Sequence, residues 1–216
     1  MPRFVDGYPV DRGASDTLDS SRLAGVMAMI ARPDSVSCAD YQANKELYPA
    51  PYFRGVRHPT QSNDPRMFSR DQAVCLAAGL FAQGNRLALC DLYLAAKRSG
   101  NRAQNFLEWD GTKKRWGADY MPPHVIGALA VAAGIQDSLT AWQASWLYAE
   151  MIFNGVFNPL NEPNQIFSIC FMSGKQWIKR YKKINRQWKN SIVDYWCGWR
   201  DEKELAADFI TWAEGQ

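Results

Sequence analysis

The sequence lacks any apolar run long enough to cross a membrane: no window approaches about 18 unbroken apolar residues, so no membrane span is expected. It also lacks an evident internal repeat of fixed period, and its composition excludes collagen-like, low-complexity and coiled-coil-only chains. The five cysteines, Cys38, Cys75, Cys90, Cys170 and Cys197, are odd in number, widely spaced and without a C-x-x-C pair. That pattern argues against a disulfide framework or a zinc site and for free thiols in a reducing compartment. Histidine is scarcer still. Any Ser-His or Cys-His chemistry must use His58 or His124. No Walker-type loop, G-x-G-x-x-G or G-x-S-x-G is present, so no nucleotide, cofactor or metal is expected. The opening residues, Met1-Pro2-Arg3-Phe4-Val5-Asp6-Gly7, have no apolar core of a secretory signal. A net charge of +3 is too mild to imply nucleic acid by itself.

What is present is apolar and aromatic material. Of 216 residues, 47% are hydrophobic and 22% charged, with nine Trp, nine Tyr and ten Phe, enough for a substantial core. The predicted class is mainly α: one domain (1–216) of about eight helices in antiparallel pairs, with one small β-hairpin. Residues 1–18 read as an irregular arm, with turn signals at Asp6-Gly7, Pro9 and Gly13. A first helix begins near Asp19 or Ser20 and buries Leu23, Val26, Met27 and Ile30. Residues 33–68 carry five prolines and read as a long loop. Ser69 is the predicted cap of a helix over 70–83, and a second helix over 86–98 presents Leu87, Cys90 and Leu94 on one face. Asp110-Gly111 marks the predicted hairpin over 106–117.

Pro122-Pro123 opens the next helix, which places His124 in its first turn, ordinarily a surface position where the helix dipole disfavours an imidazolium. Ser138 is read as the cap of a helix whose Leu139, Trp142, Trp146, Ala149 and Phe153 form an apolar seam. Residues 175–199 read as one long helix with a buried seam of Trp177, Tyr181, Ile184, Trp188, Ser191, Tyr195 and Trp199. Its seven basic residues, Lys175 to Lys189, then form a solvated outer face, and nucleic acid is not the expected partner. The last helix is predicted to start at Asp201 and bury Leu205, Phe209 and Trp212.

Three groupings carry candidate chemistry. Asp6, Asp11, Asp16 and Asp19 cluster in the arm, where aspartate also serves turns and caps. His58 sits in Arg57-His58-Pro59, inside the long loop. Arg70 and Asp71 stand at a helix start, where polar side chains point off the end of the rod; Arg can fork onto hydroxyls or a carboxylate and Asp can accept from a hydroxyl pair.

Phe68-Ser69-Arg70-Asp71-Gln72 resembles the aromatic-x-Arg-Asp phrase at helix starts in (α/α)-toroid carbohydrate-active enzymes such as glucoamylase-like hydrolases. The resemblance implies that Arg70 and Asp71 contact a sugar, and that 216 residues form at most a partial toroid. The wider pattern of Asp-rich arm, Arg57-His58-Pro59 and Ser69-Arg70-Asp71-Gln72 is similar to proteins encoded by tailed bacteriophages. It implies synthesis in a host cytoplasm and a place in the virion. Two functional expectations follow. One is a phage-encoded, carbohydrate-directed domain that binds or processes a bacterial surface polysaccharide through Asp16, Asp19, His58, Arg70, Asp71 and an exposed Trp109. The other is a non-enzymatic virion component whose arm and loop grip neighbouring subunits.

Overall fold

A computed structural model describes residues 3–10, 20–30, 36–42, 52, 69–103, 107–109, 112–114, 119–157, 163–198 and 203–216. Six short strands accompany nine α-helices among these residues. Strands β1 (Arg3–Val5) and β2 (Tyr8–Val10) precede α1 (Ser20–Ile30), and α2 (Arg70–Ala82) and α3 (Arg86–Arg98) follow. Strands β3 (Arg102–Ala103), β4 (Leu107–Trp109), β5 (Thr112–Lys114) and β6 (Asp119–Tyr120) come next. The remainder is α4 (Pro123–Ala132), α5 (Ala141–Ile152), α6 (Pro163–Ser173), α7 (Lys175–Ile184), α8 (Trp188–Gly198) and α9 (Lys203–Glu214). The fold is mainly α, as the sequence predicts, with three small antiparallel β pairs among the described residues where one hairpin is expected.

Two helix types divide the molecule. Helices α1, α2, α4 and α6 are rich in small and aliphatic residues and are buried on nearly every side. Helices α3, α5 and α7 bury only one stripe. Uniformly apolar helices belong inside and amphipathic ones outside. Small residues let α1 and α2 meet backbone to backbone. A Cβ on Gly25 would come within 2.0 Å of the Cys75 carbonyl oxygen, and one on Gly79 within 2.7 Å of the Gly25 Cα. At the other side of the core Phe167 is an aromatic hub, edge-on to Tyr181 (5.1 Å) and Phe209 (5.0 Å) and tilted against Trp188 (5.6 Å).

The inner helices run in one direction. Ser21 donates to Gln72, and further along Gly25 meets Cys75, so α1 and α2 are parallel. Ser168 pairs with Cys75 and Phe171 with Phe81, so α6 is parallel to α2. The amide of Met121, just before α4, donates to the Asn101 carbonyl just past α3, at 2.8 Å. Because α3 returns antiparallel from α2, α4 also starts at the end where α2 starts. The outer helices run back: α3 against α2, α5 against α4 and α7 against α6.

The structure corrects several expectations. Residues 3–10 are not irregular. They form a hairpin whose turn residues, Asp6 (φ 52°) and Gly7 (φ 86°), adopt the left-handed conformation that a two-residue hairpin turn requires. The flanking strands are three residues long, too short to show alternation. Nor does this part of the arm extend from the body: Val10 is buried, and Tyr8 packs edge-on against Tyr41 and donates to Asp40 at 3.3 Å. The 106–117 hairpin is present as β4–β5, with Trp109 opposite Thr112. On α3 the buried residues are Ala88, Leu89, Leu92, Ala95 and Ala96, whereas Leu87 and Leu94 are exposed.

Ser69 occupies the cap position of α2, but its hydroxyl donates to the Asp71 carboxylate instead of capping a backbone amide. Helix α5 is capped by Thr140, not Ser138, because Gln143 completes a capping box only with Thr140. The expected 175–199 rod breaks at Asn185. Its buried amide donates to Tyr181 at 3.0 Å, and its side-chain oxygen accepts from the Gln187 backbone at 3.0 Å, which starts a new helix. The seam survives the break: Trp177, Tyr181, Trp188 and Ser191 are buried. Trp199 and the expected start at Asp201 lie outside the described residues.

Candidate functional site

Parallel inner helices bring their N-terminal ends together, and Gln72, Arg22, His124 and Asn164 are among the buried polar residues that collect there. Gln72, in the first turn of α2, accepts from the Ser21 hydroxyl (2.6 Å) and the Arg22 amide (3.2 Å) of α1. Arg22 is buried beneath the same end. It donates to the Tyr195 hydroxyl at 3.1 Å and lies over the Trp196 ring at 5.8 Å.

Beside this pair lies a group of four titratable or amide side chains. Arg70 opens α2, His124 lies in the first turn of α4, Glu150 in the last turn of α5, and Asn154 in the π-helical turn Phe153–Phe157 that follows α5. His124 Nε2 is 3.5 Å from Glu150 Oε2, within ion-pair range but without hydrogen-bond alignment. The ring is fully buried, and neither of its nitrogens has a hydrogen-bond partner among the described residues. Burial first, and the Arg70 guanidinium second, push the His124 pKa down to about 4, so the imidazole is neutral at pH 7. Burial raises the Glu150 carboxyl above its ordinary range, opposed by Arg70 and by hydrogen bonding from Asn154. The Glu150 side chain keeps 23% exposure, which makes it the partly open wall of the cluster. Asn154 donates to the Glu150 main-chain oxygen at 3.1 Å, and its own side-chain oxygen has no partner. At the parallel start of α6, buried Asn164 has no hydrogen-bond partner on either side-chain atom among the described residues. Buried polar atoms without partners are uncommon in folded proteins, and five of them, on His124, Asn154 and Asn164, occur at this end.

Of the sequence-predicted residues, Arg70 belongs to this cluster and Asp71 stands beside it, engaged by Ser69. Asp16, Asp19 and His58 lie outside the described residues, as does the side chain of Trp109. The expectation of a surface His124 is overturned. Two prolines do start the helix, but α4 is an inner helix, so even its first turn is covered. Glu150, Asn154 and Asn164 escaped sequence reasoning. Glu150 had a signal: it is the sole charged residue between Asp137 and Glu162. An isolated carboxylate on an apolar helix calls for a specific partner.

Other chemistries find less support. Cys38, Cys75, Cys90 and Cys170 are free thiols, as expected, and Cys197 lies outside the described side chains. Burial, with Asp40 nearby, pushes the Cys38 thiol up to about 12, and burial raises Cys170, the reverse of what a nucleophile needs. Among the described residues no group of three or more His, Cys, Asp or Glu is placed to hold a metal ion, and no helix is long and apolar enough to cross a membrane.

One further feature adjoins the cluster. On α5, Trp142 and Trp146 stack edge to face at 5.8 Å and are 64% and 40% exposed. Glu150 is the next residue at the same four-residue spacing. An open indole thus stands one helical turn from the carboxylate. No protein-family model, curated protein or solved structure matches the chain.

Proposed function

We propose that the chain is a carbohydrate-directed helical domain of bacteriophage origin that binds a bacterial surface glycan where α2, α4 and α6 begin. The observation that carries this reading is the convergence of Arg70, His124 and Glu150 at one helix end, with Trp146 one turn away on the open side. Each group has a use for a sugar. The guanidinium forks onto vicinal hydroxyls or a carboxylate. The buried neutral imidazole of His124, 3.5 Å from the Glu150 carboxylate, backs the group that meets the sugar. The carboxyl accepts from a hydroxyl, and an indole face covers the apolar side of a pyranose ring. Asn154 and Asn164 are buried behind the open Glu150 wall, so their amide atoms meet a ligand only where the cluster opens. The parallel inner helices wrapped by antiparallel outer ones support the comparison with a partial toroid.

The test is calorimetric binding to a panel of bacterial surface polysaccharides. Arg70→Lys and Glu150→Gln should each weaken binding about tenfold or more, since a charge-assisted hydrogen bond is worth about 1.5–3 kcal/mol. A carboxyl raised by burial is also suited to protonate a glycosidic oxygen. Release of reducing ends therefore separates processing from binding. A parent protein that binds no polysaccharide and self-associates would favour the virion-component reading instead.

A further inference from the structure

Helix α5 was expected to bury its tryptophans, and it does the opposite. Leu147 and Met151 face inward, while Trp142, Trp146, Tyr148 and Phe153 are 40–64% exposed. The π-helical turn extends this face with Val156 (59%) and Phe157 (74%). Trp142, Trp146 and Phe153 share one face of the helix, and Val156 and Phe157 continue it, an exposed apolar run of a size that soluble monomers rarely leave open.

Its neighbour has the complementary character. Helix α7 packs against both α5 and the π-helical turn, and these lie outside the α4–α6 layer, so their solvent faces look away from the same inner surface. That face of α7 carries Lys175, Lys179 and Lys183 at four-residue spacing, all exposed, with Arg180 and Arg186 also exposed. No acidic residue occurs from 175 to 193. Two cations of the run are engaged elsewhere. Lys182 donates to the Ala213 carbonyl at 2.6 Å, and Lys189 pairs with Glu214. Arg180 lies over the Trp177 ring at 4.9 Å, and Lys175, Lys179, Lys183 and Arg186 are exposed to an external negative charge. An aromatic ridge thus stands beside a basic ridge on one side of the molecule.

We infer that this side docks the protein on an anionic phospholipid surface. The Trp and Phe side chains would enter the headgroup boundary while the lysines meet lipid phosphates. Tryptophan favours that depth, and each juxtamembrane lysine adds attraction to an anionic leaflet. Two observations favour a bilayer over single-stranded nucleic acid. The Trp142–Trp146 pair is edge to face, so one ring covers the other and no ladder of open faces is offered to bases. Val156 extends the ridge with an aliphatic side chain that cannot stack on a base but gains by leaving water. The inference shares Trp146 with the proposed glycan site but uses none of Arg70, His124 or Glu150, and the variants that test it leave Trp146 in place.

The experiment is co-sedimentation of the whole chain with vesicles of phosphatidylcholine alone, or with phosphatidylglycerol as about a third of the lipid. The parent should bind the phosphatidylglycerol vesicles at least about tenfold more tightly, and high salt should weaken that binding by screening. Trp142→Ser with Phe157→Ser, and separately Lys175→Glu with Lys179→Glu and Lys183→Glu, should each reduce it about tenfold or more. All five positions are exposed, so circular dichroism should show parental folding. Leu87→Ser, an exposed apolar position on α3, should leave binding unchanged. The inference is overturned if the two vesicle types bind equally or if neither set of variants alters binding. It is equally overturned if the chain binds only single-stranded oligonucleotide, or forms a dimer that the Trp142/Phe157 variant dissolves while no vesicle is bound.

Discussion

The α5 seam and the α7–α8 seam have the same sequence signature and opposite fates. Both show large apolar residues at alternating three- and four-residue spacing, and among the described residues each stripe carries two tryptophans. In α7–α8 the stripe is buried, with Trp177 and Trp188 packed inside; in α5 the stripe faces solvent. The difference lies on the opposite side of each helix. Behind the α7 stripe stand lysines and arginines, so only one face can be buried. Behind the α5 stripe stand Ala144, Leu147 and Met151, an equally apolar alternative. Periodicity identifies a face. Contrast with the opposite face decides which one turns inward.

Substitutions at matched tryptophans give the strongest attack on this comparison. Trp188→Ala should cost about 3–5 kcal/mol in chemical denaturation, because it removes a buried ring packed on Phe167. Trp142→Ala should stay within about 0.5 kcal/mol, as an exposed change does. Equal losses would mean that α5 is covered after all.

The pH dependence of stability reads the buried end of the molecule. His124 binds its proton more weakly in the folded chain, with a pKa of about 4 against 6.5, so the unfolded chain holds more protons between those values. The contribution is intact above about pH 6.5 and falls away toward pH 4, by about 3 kcal/mol in full. Glu150 acts in the opposite sense. Its raised carboxyl takes up a proton more readily when folded and offsets part of the loss as pH falls. His124→Gln should flatten the acid limb of a stability–pH curve, and Glu150→Gln should steepen it.

A smaller effect separates two lysines of the basic face. Lys182 was expected to be a free surface residue, but its ammonium donates to the Ala213 carbonyl at the end of α9 and lies 5.6 Å from the Trp188 ring. Lys182→Ala should therefore cost about 1 kcal/mol, and Lys175→Ala within about 0.5 kcal/mol. Last, a thiol titration under denaturing, non-reducing conditions should count five free cysteines.

Helix positions were legible wherever a breaker or cap stood at the boundary. Asn85 and Gly100 frame α3, and Pro122-Pro123 starts α4, at the residues expected. The candidate site was legible only in part. Arg70 announced itself because it lies at a helix start. His124 and Glu150 join it from helices about 50 and 80 residues further on, through an inner-helix arrangement that no local pattern encodes. Inner and outer helices differ in how many of their sides are apolar. That contrast is visible in α2 against α7 and nearly absent between α4 and α5, where both misreadings, His124 and the tryptophan seam, occurred.

The most direct test of the polar cluster as a ligand site is a histidine-detected NMR titration, with and without a bound surface polysaccharide. The account predicts that the His124 ring stays neutral until about pH 4 and that its resonances move when polysaccharide is added, an effect lost in Arg70→Lys. A ring that titrates near 6.5, or whose signals no polysaccharide moves, would contradict it.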